Sequence, residues 1–261
     1  MANDAVKYST EVFLKGALPL MKYIVADDPS LNAKFKGVNA VYQVSGKDGN
    51  EKKAVHFIVT DGVWEVVQGC YDGKIDGELA FSNCEKLVAF MKGDMTKLPA
   101  FKIGNLGKFI KFMLVLLKMS SLLTAKEAPK DEATQVLTVK CYFYLLSVGI
   151  SVLNKMGEPM ISKWVAQSPD RVYQLEVVGH PEITAHMRFN KGNSKAAKGA
   201  CTRCNPFFTM RFASPADALA ILLGTGDMFS MTASGQLKLV GGPEFGVQLG
   251  DLLFKIADYA Q

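Results

Sequence analysis

Cys201-Thr202-Arg203-Cys204 sets two thiols three positions apart. That spacing suits half of a zinc site or a dithiol–disulfide couple. Zinc needs two further ligands. Cys141, His180 and His186 fall in the same half of the chain, but no second CxxC and no close histidine pair accompanies them. A redox CxxC usually opens a helix after a strand, whereas Pro206 and Phe207-Phe208 read as the approach to a strand. Five cysteines, an odd number, give no secreted disulfide framework, so reduced thiols are expected. His56 and His186 read as core or sheet-face histidines. Gly104–Lys108 (GNLGK) lacks the GxxxxGK[ST] spacing of a phosphate loop, and Phe109 stands where Ser or Thr would hold magnesium. No Ser or Cys sits on a nucleophile elbow, and the carboxylates form no convincing pair. The expectation is a protein without catalytic residues, metal or cofactor.

The elements that would position these residues can be read from spacing. Phe13, Ala17, Leu20, Met21 and Ile24 mark one face of a helix, with Pro19 interrupting it. A short helix restarts on Pro29. Ala40–Val44 and Ala54–Thr60 are β-rich, with a turn over Ser45–Asn50. Asp61-Gly62 joins Thr60 to Val63-Trp64 as a two-residue hairpin. Trp64–Gln68 is a third strand and Ile75–Phe81 a fourth, weakened by Gly77. Ser82 or Asn83 caps a helix carrying Leu87, Val88, Phe90 and Met91, which Gly93 ends. Phe101–Ile103 is a short strand. Phe109, Phe112, Met113, Leu116 and Leu117 form a strongly apolar helix face.

The second half repeats much of this order. VYQ occurs at Val41–Gln43 and at Val172–Gln174, an offset of 172 − 41 = 131. Phe81 and Phe212 differ by the same 212 − 81 = 131. Asp28-Pro29 and Glu158-Pro159 precede the two VYQ segments, and an apolar run ending in Gly-Asp-Met follows each Phe. Phe101-Lys102-Ile103 is echoed by Leu237-Lys238-Leu239. The expected second-half elements are a helix over Phe143–Leu153, strands over Val172–Val178, Ile183–Phe189 and Phe207–Phe212, a helix over Ala216–Leu223, a strand over Gln236–Val240 and a helix over Val247–Tyr259. Asn190–Pro206 is polar and reads as irregular, leaving that half without a clear third strand. These halves, residues 1–124 and 135–261, flank a charged linker, AKEAPKDEAT, over residues 125–134. Strands and helices segregate, so the expected class is α+β: two tandem units, each a mainly antiparallel five-stranded sheet with helices packed on it.

The phrases LAFSNCEKLVAFMKGDM with FKIGNLGKFIKFM, and MRFASPADALAILLGTGDM with LKLVGGPEFGVQLGDLL, give each half a resemblance to the sterol carrier protein 2 (SCP2) lipid-transfer domain. The resemblance covers about residues 10–119 and 140–259. It implies non-enzymatic binding or transfer of fatty acyl chains, acyl-CoA or sterols in an apolar tunnel between sheet and helices. It departs from the family in the compressed connection after Met95 and in Asn190–Pro206. The candidate lining is Phe90, Met91, Phe109, Met113 and Leu117 in the first half, and Leu222, Leu223, Phe229, Phe245 and Leu249 in the second. Flexible thioethers suit a wall that accepts varied apolar shapes; ordinary core packing is the alternative for each residue, and a structural interaction module or a redox or metal-binding role for Cys201 and Cys204 are the alternatives for the whole.

The formal net charge of +5 is modest. Through Lys130 the chain has lysine but no arginine, and only Asp94 opposes Lys92, Lys97, Lys102, Lys108, Lys111 and Lys118. Arginine forks dominate base and phosphate recognition, so no nucleic-acid partner is expected. The lysines read as a solvated face, or as weak attraction to an anionic membrane surface. No stretch reads as a bilayer span from sequence, and MANDAVKYST is not an apolar signal core; a cytoplasmic protein is expected.

Overall fold

The computed structural model describes residues 2–260. The chain folds as two compact units, one running through Ser121 and the other from Leu122 to Asp258.

In the first unit, α1 (Ala2–Val12) continues through a π-helical turn at Phe13–Ala17 and a 3₁₀ turn at Leu18–Leu20 into α2 (Met21–Asp27). The irregular turns fall where Gly16 and Pro19 stand, because proline lacks the N–H that an α-helical interior uses. Asp28 caps α3 (Pro29–Phe35), its carboxylate accepting from the N–H groups of Ser30 and Leu31 at 2.9 and 3.0 Å. The sheet follows: β1 (Ala40–Asp48), β2 (Glu51–Thr60), β3 (Val63–Gln68), β4 (Gly77–Phe81) and β5 (Ala100–Ile103). The β2–β3 turn has positive φ at both Asp61 (49°) and Gly62 (80°), the geometry of a type I′ turn. α4 (Cys84–Met91) lies between β4 and β5, capped by Asn83 through Lys86 N–H, and α5 (Leu106–Leu123) closes the unit.

The second unit begins with α6 (Glu132–Lys155), which starts inside the stretch expected to be linker because Asp131 caps it through Thr134 N–H at 2.8 Å. By length and composition α6 is apolar enough to cross a bilayer, but most of it is buried within the unit. α7 (Pro159–Gln167), β6 (Arg171–Val177), β7 (Ala185–Asn190), β8 (Asn193–Lys198), β9 (Phe208–Phe212), α8 (Pro215–Leu222), α9 (Met228–Ala233), β10 (Leu237–Val240) and α10 (Pro243–Ala260) follow. The third strand absent from the sequence reading is β8. It pairs with β7 across a tight turn with positive φ at Lys191 (42°) and Gly192 (90°).

Strand order is β3-β2-β1-β4-β5 in the first sheet and β8-β7-β6-β9-β10 in the second. Both sheets are mainly antiparallel, as expected, but each holds one parallel pairing that the sequence reading did not include. β1 pairs with β4, and β6 with β9, in parallel; the remaining pairings are antiparallel. Residues 69–76 carry the chain from β3 back across the sheet to the free side of β1, so β4 enters running the same way. The two parallel registers correspond: Tyr42 faces Gly77 and Gly46 faces Phe81, while Tyr173 faces Phe208 and Val177 faces Phe212.

In the first unit the face of β1 carrying Tyr42, Val44 and Gly46 meets the helices. Tyr42 stacks on Phe112 of α5 with centroids 4.7 Å apart, and Trp64 is ringed by Phe35, Tyr42 and Phe57. In the second, Tyr173 is surrounded by Trp164, Phe189, Phe207 and Phe208. Such rings bury large area and lock one another by edge-to-face contact.

Candidate functional site

Alternation along β1 puts Tyr42, Val44 and Gly46 on one face, and the parallel register adds Gly77, Leu79 and Phe81 beside them. Two helices share this face. A Cβ on Gly46 would sit 3.2 Å from Leu87 of α4, and a Cβ on Gly77 would sit 2.6 Å from the Phe109 ring of α5. α4 therefore covers the Gly46–Phe81 end and α5 the Tyr42–Gly77 end, with Val44 and Leu79 between them. The second unit repeats the plan: Gly246 of α10 approaches Phe208 and Leu239, and Phe143 of α6 meets Phe212 at 6.0 Å, with Leu175 and Met210 between.

The candidate lining residues separate into three environments. Phe109 and Leu249 are buried in this packing; the Phe109 ring fills the space that Gly77 leaves open. Phe90, Met91, Met113, Leu222, Leu223 and Phe245 are half-buried. Phe90 lies against Phe81 at 5.4 Å, and Phe245 against Phe207 at 4.8 Å. Leu117 and Phe229 are exposed, Phe229 at 82%.

Of the outer side of α5, sequence reasoning singled out only Leu117, and that as part of the inward face. Leu106, Ile110, Leu114 and Leu117 recur at four-, four- and three-residue steps and all are exposed. They form a stripe along the helix opposite its buried residues Phe112, Leu116 and Met119. Phe101 and Ile103 of β5 are exposed as well, and Phe101 meets Phe109 edge-on at 5.9 Å. The spacing was present in LGKFIKFMLVLL, but a helix apolar on nearly every side does not reveal which side faces inward.

The opposite face of each sheet is polar. Glu78, almost wholly buried, accepts hydrogen bonds from Gln43 (2.7 Å), Ser45 (2.6 Å), Lys52 (2.7 Å) and Lys102 (2.9 Å). Burial pushes its pKa up, but bonds from Lys52, Ser45, Lys102 and Gln43 outweigh that and hold it at about 2. In the second unit the acid has moved strands: Glu176 on β6 pairs with Arg211 and accepts from Gln174. The two sheet histidines are tied to main chain, His56 Nδ1 lying 2.8 Å from the Gly69 carbonyl and His186 Nδ1 2.7 Å from that of Gly199.

Within the basic run Lys102 pairs with Glu78, Lys108 with Asp76 at 3.0 Å and Lys118 with Asp28 at 3.1 Å. Lys111 donates to the Lys34 carbonyl at 2.7 Å. Cys201 and Cys204 form a disulfide, where reduced thiols were expected, while Cys70, Cys84 and Cys141 take no part in one. Among the described residues no group of three or more His, Cys, Asp or Glu is placed to hold a metal ion.

No protein-family model matches the sequence, and no curated protein matches it. Among solved structures the chain is similar to "UbiJ-SCP2 Ubiquinone synthesis protein", at 18% identity over 45% of this chain and 96% of that one, with a TM-score of 0.29. It is also similar to the conserved hypothetical protein TT1886 from Thermus thermophilus, described as possibly a sterol carrier protein, at 20% identity over 42% of this chain and 83% of that one, TM-score 0.29. A third likeness is to the inverting sec-alkylsulfatase Pisa1 from Pseudomonas sp., at 10% identity over 66% of this chain and 30% of that one, TM-score 0.28. SCP2-domain proteins thus stand among its structural neighbours at low identity, each spanning less than half of this chain.

Proposed function

We propose that this protein binds an apolar lipid, of fatty acyl or sterol-like character, without catalysing its conversion, and that it does so with two copies of one α+β unit. The observation that carries the reading is the apolar side chain left in contact with solvent around the last helix of the first unit. Leu106, Ile110, Leu114 and Leu117 are exposed along α5, Phe101 and Ile103 beside it, and Met113 half-buried. Contiguous apolar surface costs free energy in water and marks a place where something apolar docks. Burying it against an alkyl chain returns about 25 cal/mol per Å². Thioethers such as Met113 and Met91 adapt to varied shapes, so a broad ligand range is expected. A cytoplasmic location belongs to the same reading.

Displacement of a fluorescent fatty acid tests it. Met113→Glu places a charge at a half-buried position and is expected to weaken binding about ten-fold, since leaving a carboxylate unpaired beside an alkyl chain costs well over about 1.4 kcal/mol. Absence of uptake of any fatty acid, acyl-CoA or sterol by the wild-type protein overturns the reading. A second reading has an observation of its own: the Cys201–Cys204 disulfide fits a dithiol couple. Under it, a mutant with both cysteines changed to serine loses thiol-exchange activity and keeps lipid uptake.

A further inference from the structure

The second unit has an open cleft of about 860 Å³ on the face of its sheet opposite Tyr173 and the helices. Its floor is β6, β7 and β8, and its rim is the loop of residues 199–207. Register places Val172 beside Arg188, Arg188 opposite Lys195, and His186 opposite Ala197 on this face. The lining residues include Arg171, Arg188, Lys195, Lys198 and Arg203 against a single carboxylate, Asp170; alternation sets Arg188 and Lys195 on this face with Arg203 on the rim, while Lys198 turns to the other face, its Nζ 5.3 Å from the Tyr144 ring.

The fold does not require this charge. At the same register in the first unit His56 faces Val67 and Ile58 faces Glu65; the offsets are 188 − 58 = 130 and 195 − 65 = 130. The frame around the two loops is shared. Gln43 accepts from Tyr71 N–H at 2.7 Å and Gln174 from Cys201 N–H at 3.0 Å, and each histidine holds the glycine carbonyl that opens its loop. The contents differ. In the first unit the Tyr71 ring lies over His56 at 5.2 Å. In the second, Cys201 takes that place (201 − 71 = 130), so no ring covers His186 from this position, and the disulfide to Cys204 closes a short loop presenting Arg203.

Arg188 opposite Lys195 is a like-charge cross-strand pair, which destabilises a sheet. Asp170 offsets one of the two, holding Arg188 through both oxygens at 2.7 and 2.5 Å. Arg171 lies over the Phe207 ring at 4.0 Å. Lys195 and Arg203, both exposed, have no carboxylate partner among the described residues. We infer that this cleft binds a small, multiply charged phosphate anion, a di- or triphosphate, whose charge takes the place of the missing carboxylates. Guanidinium forks match phosphate oxygens two at a time, and lysines add point charge. This site is separate from the apolar surface of α5 and does not depend on it.

Calorimetric titration of the full chain with sodium tripolyphosphate at low ionic strength tests the inference. Saturable one-to-one binding is expected, weakening by about ten-fold or more in the double variant Lys195→Glu/Arg203→Glu. Both positions are exposed, and circular dichroism checks the fold; Arg203→Ala, which reverses no charge, should give a smaller loss in the same direction. Lys47→Glu/Lys97→Glu, the same charge change at exposed positions of the first unit, should leave binding unchanged. No saturable binding, or equal weakening by both double variants, overturns the site. So does binding of a single-stranded oligonucleotide that is lost in Lys195→Glu/Arg203→Glu while tripolyphosphate fails to bind, because the cleft would then belong to a nucleic-acid surface.

Discussion

Glu78 shows how a single side chain can hold the back of a sheet. It lies on β4 beside β1, nearly out of water, and four donors from three strands converge on it. A buried carboxylate is tolerated only when its oxygens are this well satisfied. Its folded pKa of about 2 lies below the ordinary 4.5, so the stabilisation it supplies is complete above about 4.5 and is lost as pH falls towards about 2. Glu78→Gln keeps the shape and removes the charge. It should lower stability at neutral pH by about 1.5–3 kcal/mol, the range for hydrogen bonds to a charged group, and should flatten the loss of stability between about pH 4.5 and 2. Urea unfolding followed across that range measures both; a variant with wild-type stability and wild-type acid sensitivity shows that the cluster is idle. The sequence contains Gln43, Ser45, Lys52, Glu78 and Lys102 far apart, and nothing in local periodicity brings them together. Only the parallel insertion of β4 next to β1 does.

At the scale of elements, what could be read was whatever local chemistry dictates. Asp61-Gly62 announces its hairpin because glycine accepts positive φ. Asp28-Pro29 and Asn83 announce their helices because their side chains satisfy first-turn N–H groups. β8 was missed because NSKAAK has little β preference, and its turn places Lys191, an unusual residue, at positive φ. The parallel pairings were missed because side chains alternate with a period of two in either direction. Gly77 was read as a flaw in a strand, whereas it is the gap into which Phe109 fits. That gives a test of how α5 is seated. Gly77→Ala puts a methyl carbon 2.6 Å from the ring's present position, so Phe109 must move. The expected cost is about 1–3 kcal/mol of overpacking. Gly77→Ala/Phe109→Leu, with a smaller side chain at the contact, should recover part of it. If the double variant is no more stable than Gly77→Ala alone in thermal unfolding, the two positions are not coupled and the seating of α5 is otherwise.

Across the whole molecule, one strand order occurs twice with corresponding registers, while the chemistry on the frame differs. The acid of the back face is on β4 in one unit and β6 in the other, and the basic cleft is confined to the second. The lysines of the first unit illustrate what composition alone leaves out. In sequence, six of them face a single acid and read as a solvated face, or as weak attraction to an anionic membrane. In the fold, Lys102, Lys108 and Lys118 meet Glu78, Asp76 and Asp28, acids from elsewhere in the chain. An unpaired lysine near an anionic bilayer is worth about 1 kcal/mol, screened by salt; a paired one contributes less. The exposed apolar side chains work differently. Ile110 and Leu117 are each more than half exposed, and burying the remainder yields about 1 kcal/mol apiece, nearly independent of salt. Binding to vesicles is therefore expected to be weak, to differ little between zwitterionic and anionic lipid, and to change little as salt rises. Ile110→Ser/Leu117→Ser should reduce it on both lipids, because each substitution removes area rather than charge. Flotation of the protein with vesicles of the two compositions, at low and physiological ionic strength, measures all three effects. Binding confined to anionic vesicles and abolished by salt, with no response to the serine variant, would return the role to the lysines and remove the apolar stripe from the account.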